Sequence, residues 1–266
     1  MTGPGEILLV SCYELGHAPL GVAWPLAFLE RAGFQPDVLD ISVEPLDEEK
    51  VRRARVVAIS VPMHTALRLG LDVARRVRGS NASCRIAFFG LYAVLHRDLL
   101  LREGVEIVLG GECEQALVDW IAGRPAPGPV VRDRLDFPVP SRAKLPPLSR
   151  YARLLRNGSE ALAGAVEASR GCRHRCRHCP IPAVYDGRFF VVPVDVVMED
   201  ARRLVASGAA HITFADPDFL NGPGHAMKVA RALHAEFPEL TFDMTDRKST
   251  RLNSSHIQKS RMPSSA

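Results

Sequence analysis

Gly164 to Pro180 reads GAVEASRGCRHRCRHCP, and the rest of the chain is best read outward from it. Gly164–Ser169 has the small and apolar composition of a short buried strand, and a cysteine loop follows directly. Its thiols, Cys172, Cys176 and Cys179, have the spacing C-x-x-x-C-x-x-C. Three thiolates on one short loop can hold three irons of a [4Fe–4S] cubane and leave the fourth iron without a protein ligand. Zinc is the competing metal, since His174 and His178 lie among the cysteines. Structural zinc sites, however, mostly pair two cysteine knuckles separated by a dozen or more residues, and the sequence has no second knuckle. An unliganded group of structural thiols is the third reading. Arg173, Arg175 and Arg177 are expected to lower the thiol pKa values by their charge.

Downstream, Val194–Ser207 has helical periodicity, His211–Ala215 reads as a strand, Ala226–Glu236 as a helix and Leu240–Met244 as a strand. This is the opening of a parallel α/β barrel that stops before it can close. Upstream, Ile7–Cys12, Pro36–Ile41, Val56–Val61, Arg85–Phe89 and Val105–Leu109 are apolar strand-like runs. Amphipathic stretches such as Val22–Ala32, Ala66–Val77 and Cys113–Ala122 accompany them. The expectation is an α/β protein with a doubly wound parallel sheet over 1–123, whose ligand crevice lies at the carboxyl ends of the strands. Residues 124–150 carry seven prolines and read as an extended linker. The barrel-like core is expected over 151–245.

Of the net charge of +4, all falls in the last 21 residues, so no nucleic-acid footprint remains elsewhere. That tail, DRKSTRLNSSHIQKSRMPSSA (246–266), lacks apolar periodicity and resembles a one-frame translation of a sequencing adapter. The expectation is a non-native, disordered tail on a C-terminally truncated protein. Cys12, Cys84 and Cys113 are scattered through apolar segments, which suits small buried residues in a reducing compartment. No apolar run approaches the ~20 residues that span a bilayer, and no secretory leader is evident, so a cytoplasmic protein without membrane contact is expected. Neither G-x-G-x-x-G nor a P-loop occurs, which disfavours an ordinary nucleotide-binding protein.

The cysteine spacing, its place after the first strand of a barrel-like repeat, and the helix that follows resemble the radical S-adenosylmethionine (SAM) superfamily. The resemblance implies an enzyme in which a [4Fe–4S] cluster on Cys172, Cys176 and Cys179 binds SAM and cleaves it to a 5′-deoxyadenosyl radical. An electron donor such as flavodoxin or ferredoxin would serve it. The residue before the third cysteine is usually aromatic in that family; here it is His178, whose imidazole can stack on adenine in the same way. Asp216 or Asp218, in Phe214–Phe219, would stand in for the family's glycine-glycine-glutamate contact with the SAM amino group. A cap or turn around Pro217 is the other reading of the two aspartates.

Residues 6–123 resemble the cobalamin-binding domain that precedes many such cores, through Pro19-Leu20-Gly21, Leu39-Asp40, Ser60 and Gly110-Gly111-Glu112-Cys113-Glu114. Cobalamin contacts are implied for Ser60, Gly110, Gly111 and Glu112. The D-x-H-x-x-G motif of histidine-ligated cobalamin proteins is absent, and His17 fails its spacing. Tyr13–Gly16, Ser60–Ala66, Cys176–Gly187 and His211–Gly222 look like an uncharacterised subgroup named for a cysteine- or selenocysteine-bearing tail. The function implied is radical modification or methylation of an unidentified substrate. A metal-stabilised, non-catalytic binding module is the alternative.

Overall fold

The computed structural model of the chain describes residues 3–156 and 158–245, and the adapter-like tail lies outside the described residues. The first unit runs β1 (Ile7–Ser11), α1 (Leu20–Arg31), β2 (Asp37–Asp40), α2 (Glu48–Arg53), β3 (Val56–Ser60) and α3 (His64–Ser80). It continues with β4 (Arg85–Phe89), α4 (Leu91–Leu95), α5 (Arg97–Arg102), β5 (Ile107–Gly111), α6 (Glu114–Ile121) and β6 (Val130–Val131). These strands form one parallel sheet in the order β2-β1-β3-β4-β5-β6. Helices cover both faces, so β1 and β3 are buried along their whole length and read as unbroken apolar runs. Along β1 the side chains alternate: Leu8 and Val10 join Val73 and Val77 of α3, while Ile7 and Leu9 join Val22 and Leu26 of α1. The strand order reverses between β1 and β3, which opens a crevice at their carboxyl ends.

The second unit runs β7 (Arg153–Arg156), β8 (Ser159–Val166), β9 (Ser169–Gly171), α7 (Ile181–Tyr185) and β10 (Phe189–Val191). It ends with α8 (Val194–Ala206), β11 (His211–Phe214), α9 (Pro223–Glu236) and β12 (Thr241–Met244). Strands β8, β11 and β12 are parallel, as a barrel opening requires, and β7 folds back antiparallel on β8. Val166, Ile212 and Phe214 face Val197, Leu204 and Val229 of the two long helices, while Ala165, Glu167 and Thr213 face the first unit's crevice.

The segment 124–150 is more than an extended connection. Its Val130–Val131 pairs with Gly110–Gly111 and extends the first sheet as a two-residue edge element, entered directly from Pro129. Phe137 and Leu148 are buried with Trp24 of α1 and Tyr151, and Tyr151 Oη donates to Asp40 Oδ2 at 3.0 Å. Lys144 Nζ donates to Pro36 O at 2.6 Å. The segment is therefore a packed strap between the units. No helix among the described residues is long and apolar enough to cross a membrane.

Two buried polar joints hold the second unit. Arg142 of the strap meets Asp200 of α8 through Nε–Oδ1 at 2.7 Å and Nη2–Oδ2 at 2.9 Å, and also donates to Ala165 O. Asp216, just past β11, accepts from Ala168 N at 3.0 Å through Oδ2 and from the Ser169 hydroxyl through Oδ1. Burial pushes its pKa from 3.8 to about 7, against the pull of those donors.

Replacing Arg142 by Met strands the Asp200 charge, and denaturant unfolding should show a loss of about 3–5 kcal/mol, partly restored in Arg142→Met/Asp200→Leu. Failure of the second substitution to recover stability would show that packing, not the stranded charge, sets the cost. Asp216 holds in the folded state a proton that the unfolded chain releases between roughly pH 4 and 7. Its favourable contribution is therefore complete below pH 4 and lost as pH rises through 7. Asp216→Asn should accordingly gain on the wild type by roughly 1–4 kcal/mol between pH 4 and pH 8 in urea unfolding. The same difference at both pH values would contradict the shifted carboxyl.

Candidate active site between the two sheets

Gly171 turns the chain out of β9 with φ +71°, and a Cβ there would lie 2.4 Å from Arg188 O, so only glycine fits directly before Cys172. Cys172 is buried, while Cys176 and Cys179 are partly exposed. Asn221, in the turn after β11, stitches the loop down. Its Nδ2 donates to Cys172 Sγ at 3.3 Å and to Asp218 Oδ2 at 3.0 Å, and its Oδ1 accepts from Arg173 N at 3.0 Å. Burial pushes the Cys172 thiol up, the His174 N–H pulls it down, and the negative charges of Asp218 and of the other two thiols raise it again.

The Arg173 guanidinium stacks on Phe189 at 5.4 Å and Arg175 pairs with Asp186 at 3.0 Å. Among the described residues no three His, Cys, Asp or Glu side chains converge as a site for one metal ion. His174 Nε2 leans toward Asp218 Oδ2 at 3.7 Å, and His178 is exposed on the loop. The loop offers three separated soft donors, and a cubane takes its cysteines at separate corners, so the donor chemistry fits a cluster.

The two aspartates separate clearly. Both oxygens of Asp216 are engaged with Ala168 and Ser169. Asp218 is buried beside Cys172, and its Oδ1 has no hydrogen-bond partner.

The carboxyl ends of the two sheets face each other across a cavity of about 420 Å³. Ser60 and Gly111 line it from the first sheet; Gly171, Thr213 and Ala215 line it from the second. Gly110 and Glu112 do not reach it. A Cβ on Gly110 would meet Val94 at 2.6 Å, so that glycine serves packing against α4, and Glu112 is wholly buried. His17 does line the cavity, with Nδ1 buried and unpartnered. Glu14 accepts from Gly21 N at 3.0 Å, and burial, reinforced by Asp40, pushes its pKa to about 8.

A polar cluster that joins the units forms part of the cavity wall, with Glu112 behind it. Arg170 Nε donates to Glu167 Oε2 at 2.7 Å, and its Nη1 lies 2.7 Å from Glu114 Oε1 and 3.5 Å from Glu112 Oε2. Trp24 and Phe137 flank the guanidinium at 5.2 and 5.1 Å. Tyr185 Oη donates to Glu112 Oε1 at 3.2 Å, yet burial still pushes Glu112 to about 8 and raises Glu167. Asn221, Arg170, Glu114 and Glu167 carry no local motif. Only the position of Arg170, two residues before Cys172, and the carboxylates of Gly110–Glu114 hint at them.

The chain is 27% identical over 243 residues to the hopanoid C-3 methylase of Methylococcus capsulatus (strain Bath), covering 82% of this chain and 46% of that protein. It superposes on the radical SAM methyltransferase TsrM of Kitasatospora setae with tryptophan substrate and a SAM analog bound. That match has a TM-score of 0.65 and 18% identity, and covers 88% of this chain and 52% of the other. The TsrM structure with cobalamin and a [4Fe–4S] cluster gives 0.66 and 17%, covering 88% and 54%. The chain thus spans about half the length of the relatives it matches, and the solved structures share its fold. The model described as "Radical SAM superfamily" matches residues 166–257, a segment that starts where β8 ends and carries the whole cysteine loop. Residues 166–257 accordingly match the radical SAM superfamily, whose cofactors are a [4Fe–4S] cluster and S-adenosylmethionine.

Proposed function

We propose that this chain is the cofactor-bearing portion of a radical SAM methyltransferase that uses a corrinoid and acts on a substrate still to be identified. The observation that carries this reading is the shared cavity, bordered by Ser60 and Gly111 at the crevice of the first sheet and by Gly171, the neighbour of Cys172, on the second. The methylase and the methyltransferase that the chain resembles support methyl transfer as the reaction class.

In this reading Cys172, Cys176 and Cys179 hold the cluster, and Asp218 Oδ1, buried without a donor, accepts from the amino group of SAM. His178 covers the adenine from the exposed side of the loop. Asp216 contributes by holding β11 to the start of β9. Residues 1–123 form the corrinoid-binding half and 151–245 the cluster-bearing core, joined by the strap. When bound, the cluster and SAM supply one-electron cleavage of the sulfonium to a 5′-deoxyadenosyl radical, and the corrinoid supplies a methyl carrier. A flavodoxin or ferredoxin would deliver the electron at the exposed side of Cys176 and Cys179.

Anaerobic reconstitution tests the assignment. Iron and sulfide should fall to background in Cys172→Ala, Cys176→Ala and Cys179→Ala. Both should persist in Cys12→Ala, Cys84→Ala and Cys113→Ala, whose thiols burial pushes to about 12, to about 11 and further upward. A loop variant with undiminished cluster would sink the ligand assignment. Asp218→Leu should keep the cluster but weaken SAM binding about 10- to 100-fold, the worth of one charged hydrogen bond. The readout is the SAM-dependent change in the electron paramagnetic resonance spectrum, and unchanged affinity would move the amino-group contact elsewhere.

A further inference from the structure

The carboxylates around Arg170 outnumber their donors. Arg170 Nε serves Glu167, its Nη1 lies against Glu114 and Glu112, and Tyr185 Oη serves the other oxygen of Glu112. This leaves Glu112 Oε2 and Glu114 Oε2 buried without a hydrogen-bond partner. The same fold fills both oxygens of Asp200 from Arg142 and both oxygens of Asp216 from its neighbours. Glu112 is sealed behind the cavity, but Glu114 borders it at 6% exposure, and Glu167 borders it too. An acceptor with no donor, on a residue that borders a ligand-sized cavity, is one that a donor on the occupant can satisfy.

We propose that Glu114, backed by Glu167, is a recognition point for a primary carboxamide of that occupant, the group a corrinoid carries at the rim of its ring. The proposal rests on the corrinoid reading above. A carboxamide nitrogen brings two hydrogens, and two carboxylates border the cavity to receive them. It is also neutral, so it enters the site without the desolvation cost of an ammonium ion. A carboxylate at the same place would meet like charge, and an ester would bring no donor. Glu114 would therefore select for amidated corrinoids over their acid or ester forms.

The test uses the full chain, reconstituted anaerobically and titrated by absorbance with two corrinoids of the same ring. Cobinamide carries the amides; cobyrinic acid heptamethyl ester has no N–H on its side chains. The unaltered protein should bind cobinamide at least about tenfold more tightly, the scale of one hydrogen bond to a charged acceptor. Glu114→Leu should reduce the preference, read as the ratio of the two affinities in the same variant, to below about threefold. Glu114→Gln, which keeps an acceptor and the shape of the side chain, should fall between and serves if the leucine variant does not fold. Equal affinity of the unaltered protein for both corrinoids overturns the subsite and leaves the corrinoid reading standing. Binding of neither overturns both. Full preference retained in Glu114→Leu overturns the assignment to Glu114.

Discussion

A guanidinium taken out of water is tolerated only where charge and hydrogen bonds replace its hydration, and Arg170 meets that condition by drawing on both halves of the molecule. Glu112 and Glu114 come from the end of the first sheet, Glu167 from the second, and Trp24 and Phe137 close over the planar group from α1 and the strap. Because removing one member of such a buried set leaves the rest uncompensated, the geometry behaves as a unit. Its consequence reaches the cysteine loop directly, since Arg170 stands two residues before Cys172 and the glycine between them turns at φ +71° against Arg188 O, where no Cβ fits. The loop is thus referenced to the crevice of the first sheet as well as to its own strand.

The far end of the same loop depends on Asn221. Its amide uses both hydrogens and its carbonyl, on a thiol, a carboxylate and a backbone N–H. N–H donors to sulfur stabilise thiolate over thiol and tune any iron bound there. Inside the loop Arg173 stacks on Phe189 and Arg175 pairs with Asp186. The side-chain donor that reaches the Cys172 sulfur comes instead from Asn221, nearly fifty positions away in sequence.

The first sheet was readable from sequence because helices cover both its faces, so β1, β3 and β4 appear as apolar runs of the right length; Arg85–Phe89 needed no adjustment. The fifth strand slid from Val105–Leu109 to Ile107–Gly111 because β6 pairs with its glycines, a partner hidden in a proline-rich stretch. The β7–β8 hairpin was hidden for another reason: β8 begins with exposed Ser159 and Glu160, so apolar patterning starts only at its second half. Its signal was the Asn157-Gly158 dipeptide. At the site, the cysteines were legible because their relation is local. Asp218, Asn221 and the Arg170 cluster act through contacts that only the fold creates, and nothing in local sequence separates Asp218 with its unpartnered oxygen from Asp216 with none.

The cavity itself follows from the two-residue period of β8 and β11. Val166, Ile212 and Phe214 pack in the core against the helices, Phe214 also reaching the cavity, while Ala165, Thr213 and Ala215 on the cavity side are small and leave space. The next inward position, just past the end of β8, is Glu167. The alternation that hollows the chamber therefore also delivers a carboxylate to its inner end, where Arg170 can reach it after the turn into β9. Core packing, the empty volume and the polar cluster at its end are three results of one register, which is why a shift of β8 by a single residue would exchange all of them at once.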